Sequence, residues 1–163
     1  MVTWQRFAEE APSIAALFAR RHAATGNLCM LATTRSDGYP RISPMEPRIF
    51  EDHLVLAGMP GTTKFRDLAR DPRFCLHTAT TDPHVTEGDA KLWGQATNLR
   101  DEALHTRFAA ALFAETGMDL RGQRFDPFTV ADLTGASSVT FADGHLTITI
   151  WKPGAGERKV HKT

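Results

Sequence analysis

Apolar residues first recur at helical spacing: Phe7, Ala11, Ile14, Leu17 and Phe18 share one face of a segment running to about residue 24. Pro12 is placed to kink this helical segment and Gly26 to end it. The period then changes. Residues 28–34 form a strand, Arg35-Ser-Asp-Gly38 supplies an Asp-Gly turn, and residues 40–50 return as a second strand. Proline cannot donate to a ladder, so Pro44 and Pro47 predict irregular pairing there. Glu51-Asp52 turns into a third strand over 53–58, and residues 59–63 lead into a short helix with Phe65, Leu68 and Ala69 on its apolar face. Asp71-Pro72 ends that helix, because the residue before a proline leaves the helical region. Residues 73–78 read as a fourth strand.

A polar loop over 80–88 precedes an extended run at 90–99. A helix follows from about 101 to 116, with Leu104, Phe108, Ala111 and Leu112 in one stripe that needs the sheet or another subunit as its partner. After an ambiguous stretch at 121–126, a strand is expected near 128–133. The clearest hairpin then pairs 137–141 with 146–151 across Ala-Asp-Gly-His, with Leu146, Ile148 and Ile150 alternating against Thr147 and Thr149. Beyond an anchored Trp151-Lys-Pro-Gly, the Gly-rich, basic tail over 152–163 is expected to be flexible. About seven strands and two or three helices predict an α+β protein with an antiparallel sheet, most simply a barrel.

Composition narrows the function classes. A chain of 163 residues fits a single domain over 1–163. Its 19 Lys and Arg balance 19 Asp and Glu, so no global field steers it to nucleic acid or to an acidic membrane surface. No apolar run reaches membrane-spanning length, and the first ten residues lack a signal core. Cys29 and Cys75 lie in strand-like runs without metal-finger spacing and read as reduced core residues of a cytoplasmic protein. The seven histidines form no metal motif, so no metal site is expected. No nucleophile elbow, dinucleotide-binding glycine motif or Walker loop is present.

The candidate chemistry lies at the start of the short helix, in Gly61-Thr-Thr-Lys64. Thr62 or Thr63 can cap it, and its first turn offers unpaired backbone N–H groups, two hydroxyls and the Lys64 ammonium to a phosphate monoester. The helix dipole contributes only about 0.3–1 kcal/mol at an exposed site, so charge-assisted bonds must supply most of the grip. An ordinary capped surface helix fits the same residues. On the second strand Arg41 and Ser43 point to one face and Ile42 and Pro44 to the other. Trp93 and Trp151 offer flat surfaces to a ring, or serve as core.

Together these pieces resemble the pyridoxamine phosphate oxidase-like family, the flavin-binding split barrels. The resemblance rests on Leu31 to Pro44, the third strand, Thr63-Lys-Phe-Arg-Asp-Leu-Ala-Arg-Asp-Pro-Arg73, the Gly94-Gln-Ala strand and the closing hairpin. It implies an antiparallel split β-barrel with flanking helices, and a homodimer with FMN sites at the interface. Lys64, Thr62 and Thr63 would grip the cofactor phosphate. Arg41, Ser43 and Met45 would lie on the strand along the ring and ribityl chain, with Ala57 and Gly58 on its neighbour. Lys91 and Trp93 would reach in from the second subunit. The chain end departs from the Arg-Leu-x-Pro segment of true pyridoxamine phosphate oxidases, which argues against that activity. An FMN-dependent oxidoreductase acting on a small molecule is the first expectation, with catalytic residues unassigned apart from Arg41 as a candidate stabiliser of reduced flavin. An F420-dependent reductase using Arg66, Arg70 and Arg73 is the alternative. A non-catalytic flavin or haem binder is the third reading, with His161 as a conceivable axial ligand.

Overall fold

A computed structural model describes residues 1–59, 61–79 and 84–162. The N-terminal segment forms two helices, α1 (Trp4–Glu10) and α2 (Pro12–Ala24), broken at Ala11. Pro12 sits in the first turn of α2, where its missing N–H leaves nothing unpaired. The chain continues through β1 (Cys29–Thr34), β2 (Pro40–Met45), β3 (Arg48–Phe50), β4 (His53–Val55), α3 (Thr63–Arg70) and β5 (Arg73–Thr78). It ends with β6 (Asp89–Asn98), α4 (Glu102–Thr116), β7 (Thr129–Ala142), β8 (His145–Lys152) and β9 (Gly156–Lys162). Residues 80–83 of the predicted loop lie outside the described residues.

Three boundaries depart from the sequence reading. The predicted strand over 40–50 is two strands, β2 and β3, separated at Glu46-Pro47. The strand expected near 128–133 and the first arm of the hairpin are one 14-residue strand, β7, bent by a bulge. Trp93 pairs with Gly135 and Gly94 with Leu133, leaving Thr134 as the extra residue. The tail expected to be flexible is instead strand β9 along residues 156–162, paired with the whole length of β8. Gly154 at φ +75° turns the chain back, and Val160 then meets Ile148 across the ladder.

The strands form one antiparallel sheet in the order β2-β1-β5-β6-β7-β4-β3, with β8 and β9 extending from the other half of β7. The path's two outer strands, β2 and β3, are separated in sequence only by Glu46 and Pro47, yet they do not pair with each other. The sheet therefore curls until its edges adjoin and stays unclosed there, which is a split barrel.

Trp4, Phe7, Ile14 and Phe18 from α1 and α2 fill the barrel with Leu31, Leu54, Leu76, Leu92 and Trp151, all buried. Each such side chain contributes roughly 1.5–3 kcal/mol of burial. A second cluster seats Leu104, Phe108 and Leu112 of α4 on Val55, Phe128 and Val130, so the partner of α4 is the sheet. The closing hairpin turns its threonines inward: Thr149 and Trp151 are buried, while Leu146, Ile148 and Ile150 remain half-buried on the outer face. That face also carries Ile42 (72% exposed), Phe141 (48%) and Met30 (37%).

Candidate functional site

Helix α3 lies along the β1–β2 hairpin and is held there by three side chains spaced three residues apart. Lys64 Nζ donates to the Pro44 carbonyl at 2.8 Å, Asp67 receives Arg41 Nε at 2.6 Å and Thr33 Oγ1 at 3.0 Å, and Arg70 donates to the Thr34 carbonyl. Asp67 is 3% exposed. Burial works to raise its pKa, but the bonds from Arg41, Thr33 and Arg70 and the Arg41 charge outweigh it and hold the carboxyl below its ordinary value.

The helix begins as the sequence predicts, with Thr62 at the N-cap in extended conformation, but the cap is idle. Thr62 makes no capping bond, and its Oγ1 is buried without a hydrogen-bond partner among the described residues. An unpartnered buried hydroxyl costs about 1–3 kcal/mol, a cost that an acceptor arriving at this helix start would remove. Lys64 lies beside it with two of its three ammonium protons outside the Pro44 bond. Gly58 closes the cradle: a Cβ there would lie 2.6 Å from the Phe65 ring and 3.8 Å from Lys64 Cε.

The other predicted site residues fall into separate groups. Arg41 and Ser43 are half-buried on one face of β2, as the alternation predicts, and Arg41 spends its Nε on Asp67. Met45 is buried in the barrel core, so only its backbone is available to a ligand. Ala57 packs against the α4 cluster. Thr63 accepts from Arg66 at 3.3 Å.

Lys91 and Trp93 stand on the outer face of β6, and Trp93 lies on Gly135, where a Cβ would come within 2.4 Å of the indole. The register runs Pro44–Met30–His77–Lys91 across β2, β1, β5 and β6. At about 4.8 Å per strand, Lys91 is some 14 Å from the strand that Lys64 touches. One chain does not bring these groups together.

The sequence reading missed two carboxylates. Asp67 is a charge inside the buried stripe of α3, legible only as an i, i+3 partner of Lys64 and Arg70. Asp89 is 9% exposed and its Oδ1 has no hydrogen bond among the described residues, lying 3.8 Å from His77 Nε2 and 3.9 Å from Lys91 Nζ. Burial pushes the Cys29 thiol up to about 12, and burial raises Cys75 against the opposing charge of Lys91, so neither is an activated nucleophile. Among the described residues no group of His, Cys, Asp and Glu is arranged to hold a metal. A recess of about 320 Å³ between α2, β3 and α4 is lined by His22, Arg48, Phe108 and Glu115, and none of the predicted site residues borders it.

The family profile described as pyridoxamine 5'-phosphate oxidase matches residues 19–137. Among solved structures, the chain is similar to a pyridoxamine 5'-phosphate oxidase-related, FMN-binding protein from Nostoc punctiforme, at 12% identity and a TM-score of 0.63, covering 93% of this chain and 95% of that one. It is similar to PhzG from Burkholderia lata, solved with tetrahydrophenazine-1-carboxylic acid, at 12% identity and TM-score 0.59, covering 89% and 90%. A heme-binding protein from Mycobacterium smegmatis aligns at 23% identity and TM-score 0.55, over 89% of this chain but 56% of that one. At these identities the structures speak for the fold alone. Among curated proteins none matches.

Proposed function

This chain belongs to the pyridoxamine 5'-phosphate oxidase family, and we propose that it is an FMN-dependent oxidoreductase acting on a small molecule. The observation that carries the reading is the buried, unpartnered Thr62 hydroxyl at the head of α3, beside the Lys64 ammonium. A cofactor phosphate would take the Thr62 hydroxyl, the Lys64 protons and the free N–H groups of the first helical turn, which is the donor set its three oxygens need. Gly58 leaves the approach clear of a Cβ. Bound flavin supplies the hydride chemistry, and the protein's part is to grip, orient and shield it.

The outer sheet face supports a homodimer. Ile42 and Met30 toward one end of this face, and Phe141, Ile148, Ile150 and Val160 toward the other, are apolar positions of the kind a second copy covers. A second copy is also what would carry Lys91 and Trp93 to the cradle, since about 14 Å of sheet separates them from it within one chain. The two free cysteines sit on different strands with opposite facing, which suits a reducing compartment, and a cytoplasmic location is part of the reading. No helix among the described residues is long and apolar enough to cross a membrane.

The F420 alternative draws on Arg66, Arg70 and Arg73 for an anionic tail. Arg73 is bonded to Asp71 at 2.9 and 2.7 Å, and Arg70 to Asp67 and the Thr34 carbonyl, so two of the three charges are already matched. This favours FMN. For haem, the His161 ring is exposed and its Nδ1 is engaged with Thr147 Oγ1 at 3.1 Å.

The test is FMN binding followed by flavin absorbance and fluorescence in the wild type and Lys64→Ala. FMN binding that weakens tenfold or more in the variant supports the cradle; equal affinity removes Lys64 from the account. A Soret band in the purified protein, or an F420 spectrum, overturns the choice of cofactor.

A further inference from the structure

The closing hairpin is polar on the side where a barrel should be apolar, and that inversion leaves a groove. Its floor is two rows of cross-strand partners on the inner face: Ser138, Thr149 and Lys159, then Thr140 and Thr147. Its roof is one stripe of α2, namely Ser13, Leu17 and Arg20. The groove holds about 210 Å³. Lys91, Trp93 and the apolar surface lie on the opposite face of the sheet.

The floor hydroxyls are the informative part. Ser138 and Thr149 are each 5% exposed, line the groove, and make no hydrogen bond to any described residue. Neither hydroxyl oxygen is sealed off from the groove, so both are open to a group that accepts from them. The charges decide the sign of that group. Arg20 and Lys159 line the groove and neither has an ion-pair partner among the described residues. The nearby carboxylate, Glu157, is already engaged at the start of α2: it accepts from the backbone N–H of Ser13 and Ile14 at 2.9 and 3.0 Å and from Ser13 Oγ at 2.8 Å. His161 is held by Thr147 at the edge.

We propose that this groove is a second ligand site, distinct from the Lys64 cradle, which binds a compact phosphate group between Arg20 and Lys159 with the Ser138 and Thr149 hydroxyls donating to its oxygens. The volume lies below the roughly 300–1,000 Å³ of sites for drug-sized ligands, so the occupant is free phosphate or a small phosphomonoester and not a nucleotide. The site is independent of the flavin reading.

The experiment is an amide proton–nitrogen correlation titration of the full chain with inorganic phosphate, and separately with glycerol 3-phosphate, each against sodium chloride at matched ionic strength. Saturable shifts at Ser138, Thr149 and Lys159 are expected in the wild type and in Lys64→Ala, with affinity reduced at least tenfold in Lys159→Gln and in Arg20→Gln. Both of those side chains are exposed, so the variants fold. Tighter binding of one probe identifies the source as the free ion or the ester. Shifts confined to residues 62–64, shifts equal to those in chloride, or undiminished binding in both variants would overturn the proposal.

Discussion

Arg41 on β2 and Asp67 on α3 meet at 2.6 Å, tying an edge strand of the barrel to the helix that carries the proposed anion cradle. The strand's guanidinium thus serves first as an anchor for the helix, and only its outer amino groups remain to face a ligand. Asp67→Asn keeps the shape but removes the charge-assisted bonds from Arg41 and Thr33, and should destabilise the fold by about 1–3 kcal/mol. Urea unfolding measures that loss. Because the folded carboxyl titrates below its ordinary value, this stabilisation is complete above about pH 4 and disappears as pH falls through the lowered folded value. The asparagine variant should lack that part of the acid sensitivity.

Gly58→Ala tests how closely the cradle is built. The added methyl would sit 2.6 Å from a Phe65 ring carbon, so the ring at the start of α3 must move. The expected result is FMN affinity reduced at least tenfold with a smaller change in melting temperature, read by fluorescence titration and calorimetry.

At the bulge the obstruction is backbone. A Cβ on Gly94 would lie 2.0 Å from the Asp132 carbonyl oxygen, which cannot rotate aside. Gly94→Ala should cost about 3 kcal/mol or more, the upper end for overpacking. Gly135→Ala meets the Trp93 indole first, so its signature should be a change in tryptophan emission accompanying a milder loss of stability.

His22 supplies a pH test near neutrality. Burial lowers its pKa, aided by the Arg48 charge, while the 2.6 Å contact with the Pro47 carbonyl and the Glu115 charge work the other way. The unfolded chain therefore takes up the proton first on acidification. Stability from this site is complete above the ordinary histidine value of about 6.5 and declines as pH falls from there toward the lowered folded value. Thermal midpoints between pH 7.5 and 5.5 should drop in the wild type, and the slope should flatten in His22→Gln.

Much of the frame was legible because its signals are local. Helix α4 begins one residue after its Asp101 cap, and the 3.0 Å bond to the Leu104 N–H is the interaction that an aspartate at that position predicts. The Asp71-Pro72 stop and the strand over 73–78 came out as read. What stayed hidden depends on distant partners. β9 looked like a loose basic tail because the reason for its order, the β8 ladder and Glu157 bonding to α2, does not lie in its own composition. Asp67 carried no signal of its own because Arg41 and Thr33 come from other strands. At the candidate site, the placement of Thr62 and Lys64 at the start of a short helix was legible, whereas the burial of Met45 and the separation of Lys91 and Trp93 from Lys64 within one chain required the sheet register.

The Glu157 carboxylate caps a helix whose first residues precede it by 144 positions. In a growing polypeptide, α2 must wait through the synthesis of every element up to β9 with those two N–H groups satisfied by water alone, and it gains its partner only as β9 docks. Long-range closures of this kind slow folding relative to local ones. The order of events at the ribosome would then be set by β9, and α2, made well before it, would be fastened only once that strand has formed.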